Sequence, residues 1–319
     1  MFGMPQNKNP KIVVIGGGTG VFTVLSGLRK YPVDLTAIIS MADDGGSTGV
    51  LREEFGILPP GDVRRALVAL AGADDRMLSD LFNYRFEQGK LGGHSFGNLM
   101  LTALERITGS FEEALEEAGR ILNVQGQVIP VTLDNMRLSA ELENGQIIKG
   151  EVNIDIPKHD PRLKIKKVFL DSRARANKRA IEAIISADLV ILGPGDLFTS
   201  IVPNLLVEGI PGAIKKSKAE KVFVVNTMTK PGETFEFTAS DFLTTLEKYL
   251  GRGVLDYVVV NNKKPASVRL KEYEAEGKKM VEAGNLPRKP TPILGDLIRT
   301  SGFVRHDPEK LAKVLVSLL

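Results

Sequence analysis

Two adjacent carboxylates, Asp43 and Asp44, stand in the stretch MADDGGSTG, Met41 to Gly49. An apolar run precedes them, which places the pair at the carboxyl end of a strand, where α/β proteins open the crevice that takes ligands. A dinucleotide-binding protein uses one acid there for ribose hydroxyls. Two acids followed by Gly-Gly-Ser-Thr extend the options to holding magnesium, orienting a hydroxyl or acting as base. The competing reading is a solvated turn whose Asp side chains bond local amides. Upstream, Gly16-Gly17-Gly18-Thr19-Gly20 lies between an apolar run and a helical pattern reaching about Lys30. Glycines let a ligand approach the backbone, and free amides at a helix start attract phosphate. A GxGxxG pattern starting at Gly16 needs glycine at position 21, and the chain has Val21 there. A strict NAD fingerprint is therefore absent.

Further along, PPGDVRRALVALAG (Pro59 to Gly72) sets Arg64 and Arg65 in the first turn of a helix, where the dipole disfavours cations. That points either to an anionic partner or to ion pairs with Asp62, Glu53 or Glu54. In GGHSFGNLML (Gly92 to Leu101), Ser95 is a natural N-cap, and His94 and Asn98 share its helix mouth. No Ser–His–Asp spacing accompanies them, and no strand precedes them as in a hydrolase elbow. A second strand-to-glycine junction, Gly193-Pro194-Gly195, is followed by Asp196, Thr199, Ser200 and Asn204. Two such junctions on one sheet fit a nucleotide diphosphate or sugar nucleotide at a topological switch point. A third strand ends in Asn226-Thr227-Met228-Thr229 and adds polar groups at the same edge.

The elements that must position these groups are short β-branched runs alternating with helical patterns, the sign of a parallel sheet covered on both faces. Strands are expected at 12–15, 35–40, 189–192, 222–225 and 257–260. Helices are expected at 110–122, with a capping box from Ser110 and Glu113, at 240–250, and from Asp307 to the C-terminus. Between 136 and 154 the pattern alternates on both sides of Asn144-Gly145, which predicts a hairpin with a type I′ turn. The polar PKHDPRLKIKK that follows reads as an exposed loop.

Composition excludes several function classes. The chain has 319 residues, 43% hydrophobic and 25% charged, with a formal charge of +3 from 42 basic and 39 acidic residues. That balance gives no footprint for nucleic acid. With no cysteine, thiolate chemistry and Cys-based zinc sites are excluded, and the three scattered histidines, His94, His159 and His306, form no HExxH or similar metal spacing. No signal peptide or membrane-length apolar run occurs, so a cytoplasmic protein is expected, with residues 1–10 disordered and 11–319 one α/β domain.

Seven blocks, GGGTG, MADDGGSTG, PPGDVRRAL, GGHSFGNLML, LNVQGQVIPVT, LGPGDLFTSIVPNLLV and NTMTKPGET, resemble in order those of the CofD/YvcK-like family. They run from about Lys11 to Val260 and are nearest to its bacterial YvcK, or gluconeogenesis-factor, branch. The final SGFVRHDPEKLAKVL is similar to that branch's C-terminal end. The resemblance implies a three-layer α/β/α Rossmann-like fold with a mainly parallel sheet and an inserted hairpin, working as a homodimer. It further implies a regulatory protein that binds UDP-sugars, notably UDP-N-acetylglucosamine, answers to regulatory protein partners and is tied to gluconeogenic growth, cell shape and cell-wall synthesis. The alternative is the family's other branch, the 2-phospho-L-lactate transferases, which move a phospholactyl group from a guanylylated donor with magnesium.

Carried over by motif, the nucleotide-phosphate turn falls on Gly16 to Gly20, and the acidic acceptor and metal site on Asp43 and Asp44, with Asp44 as the metal candidate. The family's helix start falls on His94, Ser95, Gly97 and Asn98, the second glycine loop on Gly193 to Asp196, and the UDP-sugar contacts on Tyr273 and Arg305. Arg64 and Asn226 complete the candidate binding set, and Asp43, Asp44 and His94 are the catalytic candidates. Where the family commonly reads GPGSLYTS, this chain has Asp196 and Phe198. A carboxylate repels phosphate, so Asp196 suits a sugar hydroxyl or a base better.

Overall fold

Ile12, Val13, Val14 and Ile15 are each at most 2% exposed, as a strand covered on both faces requires. They form the centre of β1 (Lys11–Gly16) in a computed structural model that describes residues 9–72 and 76–319. The remaining strands are β2 (Asp34–Ile39), β3 (Gln127–Pro130), β4 (Leu138–Leu142), β5 (Ile147–Lys149), β6 (Ile165–Leu170), β7 (Leu189–Leu192), β8 (Glu220–Val224), β9 (Tyr257–Asn261) and β10 (Thr291–Gly295). Seven of them make one sheet in the order β10-β9-β8-β7-β1-β2-β3, and every neighbouring pair is parallel.

The chain moves outward from β1 through β2 to β3, then returns to lay β7 against the other side of β1 and continues through β8 and β9 to β10. The β1–β7 boundary is thus the switch point, where successive connections leave in opposite directions. Ile12 pairs with Leu189 and Ile15 with Leu192, so the two glycine junctions emerge level with each other. Right-handed crossovers in opposite directions put helices on opposite faces. Helices α1 (Gly18–Leu28) and α3 (Pro60–Leu70) pack together, with Pro308–Val316 also against α1. Another group holds Lys178–Ile185, Ile210–Lys216, Val202–Leu205 and Ala239–Leu250. The result is the expected mostly parallel α/β Rossmann-like architecture.

All five expected strands form, within two residues of the expected ends. The sheet's two edge strands, β3 and β10, were not legible, because each carries a proline and lacks a long apolar run. The hairpin expected at 136–154 forms, but only between Leu138 and Lys149. β4 pairs with β5 and β6 in a separate antiparallel sheet, ordered β5-β4-β6. The IKK expected in an exposed loop begins β6. Only Gly145 in the turn takes a left-handed φ (86°), and its N–H donates to Leu142 O at 3.0 Å. That is a three-residue turn closed by a glycine bulge and not a type I′ turn. β5 stops at Lys149, and Gly150 turns the chain into a short helix, Glu151–Asp155.

Caps follow the sequence closely. Ser110 accepts from Glu113 N–H at 3.4 Å, one half of the expected box, while Thr238 and Asp241 form a complete one. Asp307 caps the last helix, which ends at Val316. The expected disorder of residues 1–10 concerns positions of which 1–8 lie outside the described residues. Among the described residues no helix is long and apolar enough to cross a membrane.

Candidate functional site

A cleft of about 630 Å³ opens over the carboxyl ends of β1, β2, β7 and β8, within the range of small-ligand sites. Its floor is the switch point, with Gly17 to Gly20 from the first junction and Pro194 to Asp196 from the second. Beyond Asp196 the chain makes a π-helical turn, Leu197–Ile201, in which Ser200 and Ile201 both donate to Asp196 O (2.8 and 3.1 Å). Such wide turns recur at functional sites because they re-aim the groups beside them. Asn226 fixes the loop by accepting from Gly195 N–H at 2.9 Å and donating to Asp196 Oδ1 at 3.1 Å.

One wall is acidic. Asp43 Oδ1 accepts from Gly45 N–H at 3.0 Å at the start of α2 (Gly46–Phe55). Burial raises its pKa against the opposing pull of the Gly45 amide and the Thr48 hydroxyl. Asp62, in the first turn of α3, is pushed up to about 6 by burial and by Asp43, with Arg65 and the Gly18 amide opposing. Glu151 is driven to about 10 by burial and then by Asp43, Asp155, Asp44 and Asp62. It is a neutral acid at pH 7, able to donate a hydrogen bond where its neighbours only accept.

A second cluster sits at the rim. The Lys230 ammonium is held by Asp155, by Asp196 Oδ2 at 2.8 Å and by Glu233 Oε1 at 3.0 Å. These carboxylates come from the inserted unit, the second glycine loop and Lys230's own loop. Burial works against the lysine's charge, but Glu233, Asp196 and Asp155 outweigh it and raise its pKa. Glu233 is 2% exposed. Burial and Asp196 push it up to about 8 while Lys230 pulls it down.

Tyr273, Lys278, Val304, Arg305 and His306 also line the cleft. Tyr273 Oη accepts from Val304 N–H at 3.0 Å, and Thr227 Oγ1 donates to Val304 O at 3.0 Å. Both backbone groups of Val304 are therefore fixed, and Arg305 projects from the next position. Its guanidinium carbon is 5.2 Å from the centre of the exposed Phe303 ring, a cation–π distance.

Of the residues expected from sequence, Gly17, Gly18, Thr19, Gly20, Asp43, Arg64, Asn98, Gly195, Asp196, Asn226, Tyr273 and Arg305 all line this cleft. Gly16 and Gly193 end the strands beneath it. Asp44, expected at the metal site, lies behind the wall. Its Oδ1 accepts from Val152 N–H at 2.8 Å and its Oδ2 from Glu151 N–H at 3.1 Å, so it caps the short helix and the second carboxylate at the cleft is Asp62 instead. Ser95 caps the helix Phe96–Thr108. His94 is set back from the cleft, its Nδ1 2.9 Å from Ser47 Oγ. Arg64, 5% exposed, donates to Asn98 Oδ1 at 3.0 Å, Asn83 Oδ1 at 2.6 Å and Phe82 O at 3.3 Å, so protein acceptors absorb most of its donors. Arg65 takes the ion-pair option, 3.6 Å from Asp62.

Sequence reasoning missed Glu151, Asp155, Lys230 and Glu233. Glu151 was hidden inside the overextended hairpin and Asp155 lies just past its end, and two acids at i,i+4 disfavour a helix. The loop pair Lys230 and Glu233 lies in the block NTMTKPGET, but nothing in that block shows which carboxylates the lysine meets.

Comparison with known proteins shows which family the chain resembles. Residues 12–291 match the family model described as 2-phospho-L-lactate transferase CofD. A Clostridium acetobutylicum protein described as a putative gluconeogenesis factor is 45% identical over 98% of this chain and 70% of its own length. The Bacillus subtilis gluconeogenesis factor is 42% identical over 98% of this chain and 99% of its own. A crystal structure of a Bacillus halodurans protein described as a member of the upf0052 family superposes with a TM-score of 0.90 at 39% identity, covering 98% of this chain and all of that one. On sequence, fold and length of match, the chain belongs to the CofD/YvcK family.

Proposed function

We propose that the cleft binds a sugar nucleotide of the UDP-N-acetylglucosamine type and that the protein acts as a cytoplasmic, homodimeric regulator linking that ligand to gluconeogenic growth, cell shape and cell-wall synthesis. The observation that carries this reading is the pair of glycine junctions level at the switch point, lining the same cleft as Arg305. Backbone amides at helix starts and a guanidinium are the groups that hold a diphosphate. The neutral acid Glu151 and the polar set of Asp196, Asn226 and Thr229 suit a sugar or base on either side. The names of the relatives support the metabolic link. Calorimetry tests the reading: UDP-N-acetylglucosamine gives saturable heat that weakens at least tenfold in Arg305→Ala. No heat and no thermal shift with UDP-sugars at millimolar concentration would sink it.

A second reading, a magnesium-dependent transferase of the 2-phospho-L-lactate transferase kind, is favoured by the acidic wall. Asp43 and Asp62 offer hard oxygen donors, and both are raised by burial, Asp62 also by Asp43 and Asp43 also by Asp44, a charge repulsion that a divalent cation would relieve. The residues present thus fit magnesium, which would stabilise charge on a leaving phosphate. Asp43 and Asp62 would hold it, and the Gly17–Gly20 turn would seat the nucleotide. Metal-dependent turnover of a guanylylated donor, lost in Asp43→Asn, would select this reading over the first.

A further inference from the structure

The helix Ser267–Ala275 buries none of its residues. A surface helix ordinarily docks an apolar stripe, so polar contacts must hold this one. Two of its side chains one turn apart, Arg269 and Tyr273, reach the same loop. Arg269 Nε donates to Gly302 O at 2.9 Å, Nη1 to Arg299 O at 2.8 Å, and Nη2 to Phe303 O at 3.0 Å and Ser301 O at 3.4 Å. Four carbonyls of one loop converge on a single guanidinium. Tyr273 then fixes the Val304 amide, and Arg299 and Arg305 close the loop through Arg299 N–H to Arg305 O at 3.0 Å.

Every carbonyl gathered by Arg269 belongs to the five residues immediately after Ile298 and before Val304. That loop carries Arg305 and His306 into the cleft. The loop has no carboxylate partner for Arg305 among the described residues; its guanidinium rests on Phe303, whose own carbonyl Arg269 holds. The planar fork of an arginine can serve several acceptors in one plane, which a lysine ammonium cannot do.

We infer that Arg269 is a positioning residue for ligand binding: by gathering the 299–303 carbonyls it holds Arg305 at the cleft for the anionic, diphosphate end of the ligand. This rests on the sugar-nucleotide reading of the cleft. Arg269 itself touches no ligand, and its effect passes wholly through Arg305.

The test is a double-mutant cycle read by calorimetry with UDP-N-acetylglucosamine, UDP and uridine as probes. Arg269→Ala weakens UDP and UDP-N-acetylglucosamine at least tenfold and leaves uridine, which has no phosphate, within threefold. Arg269→Lys behaves like Arg269→Ala. Adding Arg269→Ala to Arg305→Ala costs less than a further threefold, because residues acting as one unit are non-additive. Thermal melts and faster exchange of the Val304 amide in Arg269→Ala separate a freed loop from an unfolded protein. Wild-type affinity in Arg269→Ala, full additivity in the double variant, or equal loss for uridine would each overturn the inference. If the wild-type protein binds none of the three probes, the sugar-nucleotide reading itself fails.

Discussion

Gly20 and Pro194 touch so closely that a methyl group on Gly20 would stand 1.9 Å from the Pro194 carbonyl oxygen. This contact locks the first helix of the sheet to the second glycine junction and sets the width of the cleft floor. Gly20→Ala must separate the two junctions, because the obstacle is backbone and cannot rotate away. Overpacking of this kind costs about 1–3 kcal/mol or more. Urea denaturation should show that loss together with weakened UDP binding. Gly212→Ala is the control, since nothing lies within 4 Å of its Cβ position, and a helical glycine replaced by alanine gains about 0.5–1 kcal/mol.

Lys230 neutralises three carboxylates, one of them buried. Lys230→Met removes the cation shared by Asp155, Asp196 and Glu233; with Glu233 pushed up to about 8 and so mostly neutral at pH 7, it is the two aspartates that lose their counter-charge. Removing one partner of a fully buried pair costs about 3–5 kcal/mol, and the partial exposure of Asp155 and Asp196 places this case below that range. The expected outcome is a loss of about 2–3 kcal/mol in equilibrium unfolding at pH 7, shrinking at pH 4 as the carboxylates take up protons.

His306 is 5% exposed, and its Nε2 is buried with no partner among the described residues. Burial lowers its pKa from 6.5 to about 4. The unfolded chain then binds the proton more readily than the native one between those values, so stability falls as pH drops from about 6.5 to about 4 and is constant above. The loss is on the order of 3 kcal/mol at 1.36 kcal/mol per pKa unit. A His306→Leu variant lacks that dependence, so the stability difference between the two proteins, measured from pH 8 to 4, should narrow by that amount. A difference that stays flat with pH would refute the assignment.

Asp43 and Asp44 separate cleanly in their expected effects. Asp44→Ala removes the acceptor for two amides of the helix Glu151–Asp155, a cap worth about 1 kcal/mol, and shows mainly as lower stability. Asp43→Asn removes a charge that faces the cleft. In the presence of EDTA it should bind UDP several-fold more tightly than the wild type, as measured by calorimetry, because a like charge beside the phosphate is gone.

What the sequence determined by itself is what depends on neighbours along the chain. Buried β-branched runs made β1 and β7, glycines after them made the two junctions, and Ser95 and Asp307 capped their helices. The positions of Gly17 to Gly20, Gly195, Asp196 and Asn98 at the cleft were legible for that reason. Only the tertiary structure decided which of two adjacent acids faces the ligand, because the amides that draw Asp44 away belong to Glu151 and Val152, more than a hundred residues downstream. It likewise decided that Lys230 meets carboxylates from three separate segments and that Arg269 gathers the loop bearing Arg305. These groups acquire their charge states and orientations from burial and mostly from partners far away in sequence, which no local pattern encodes.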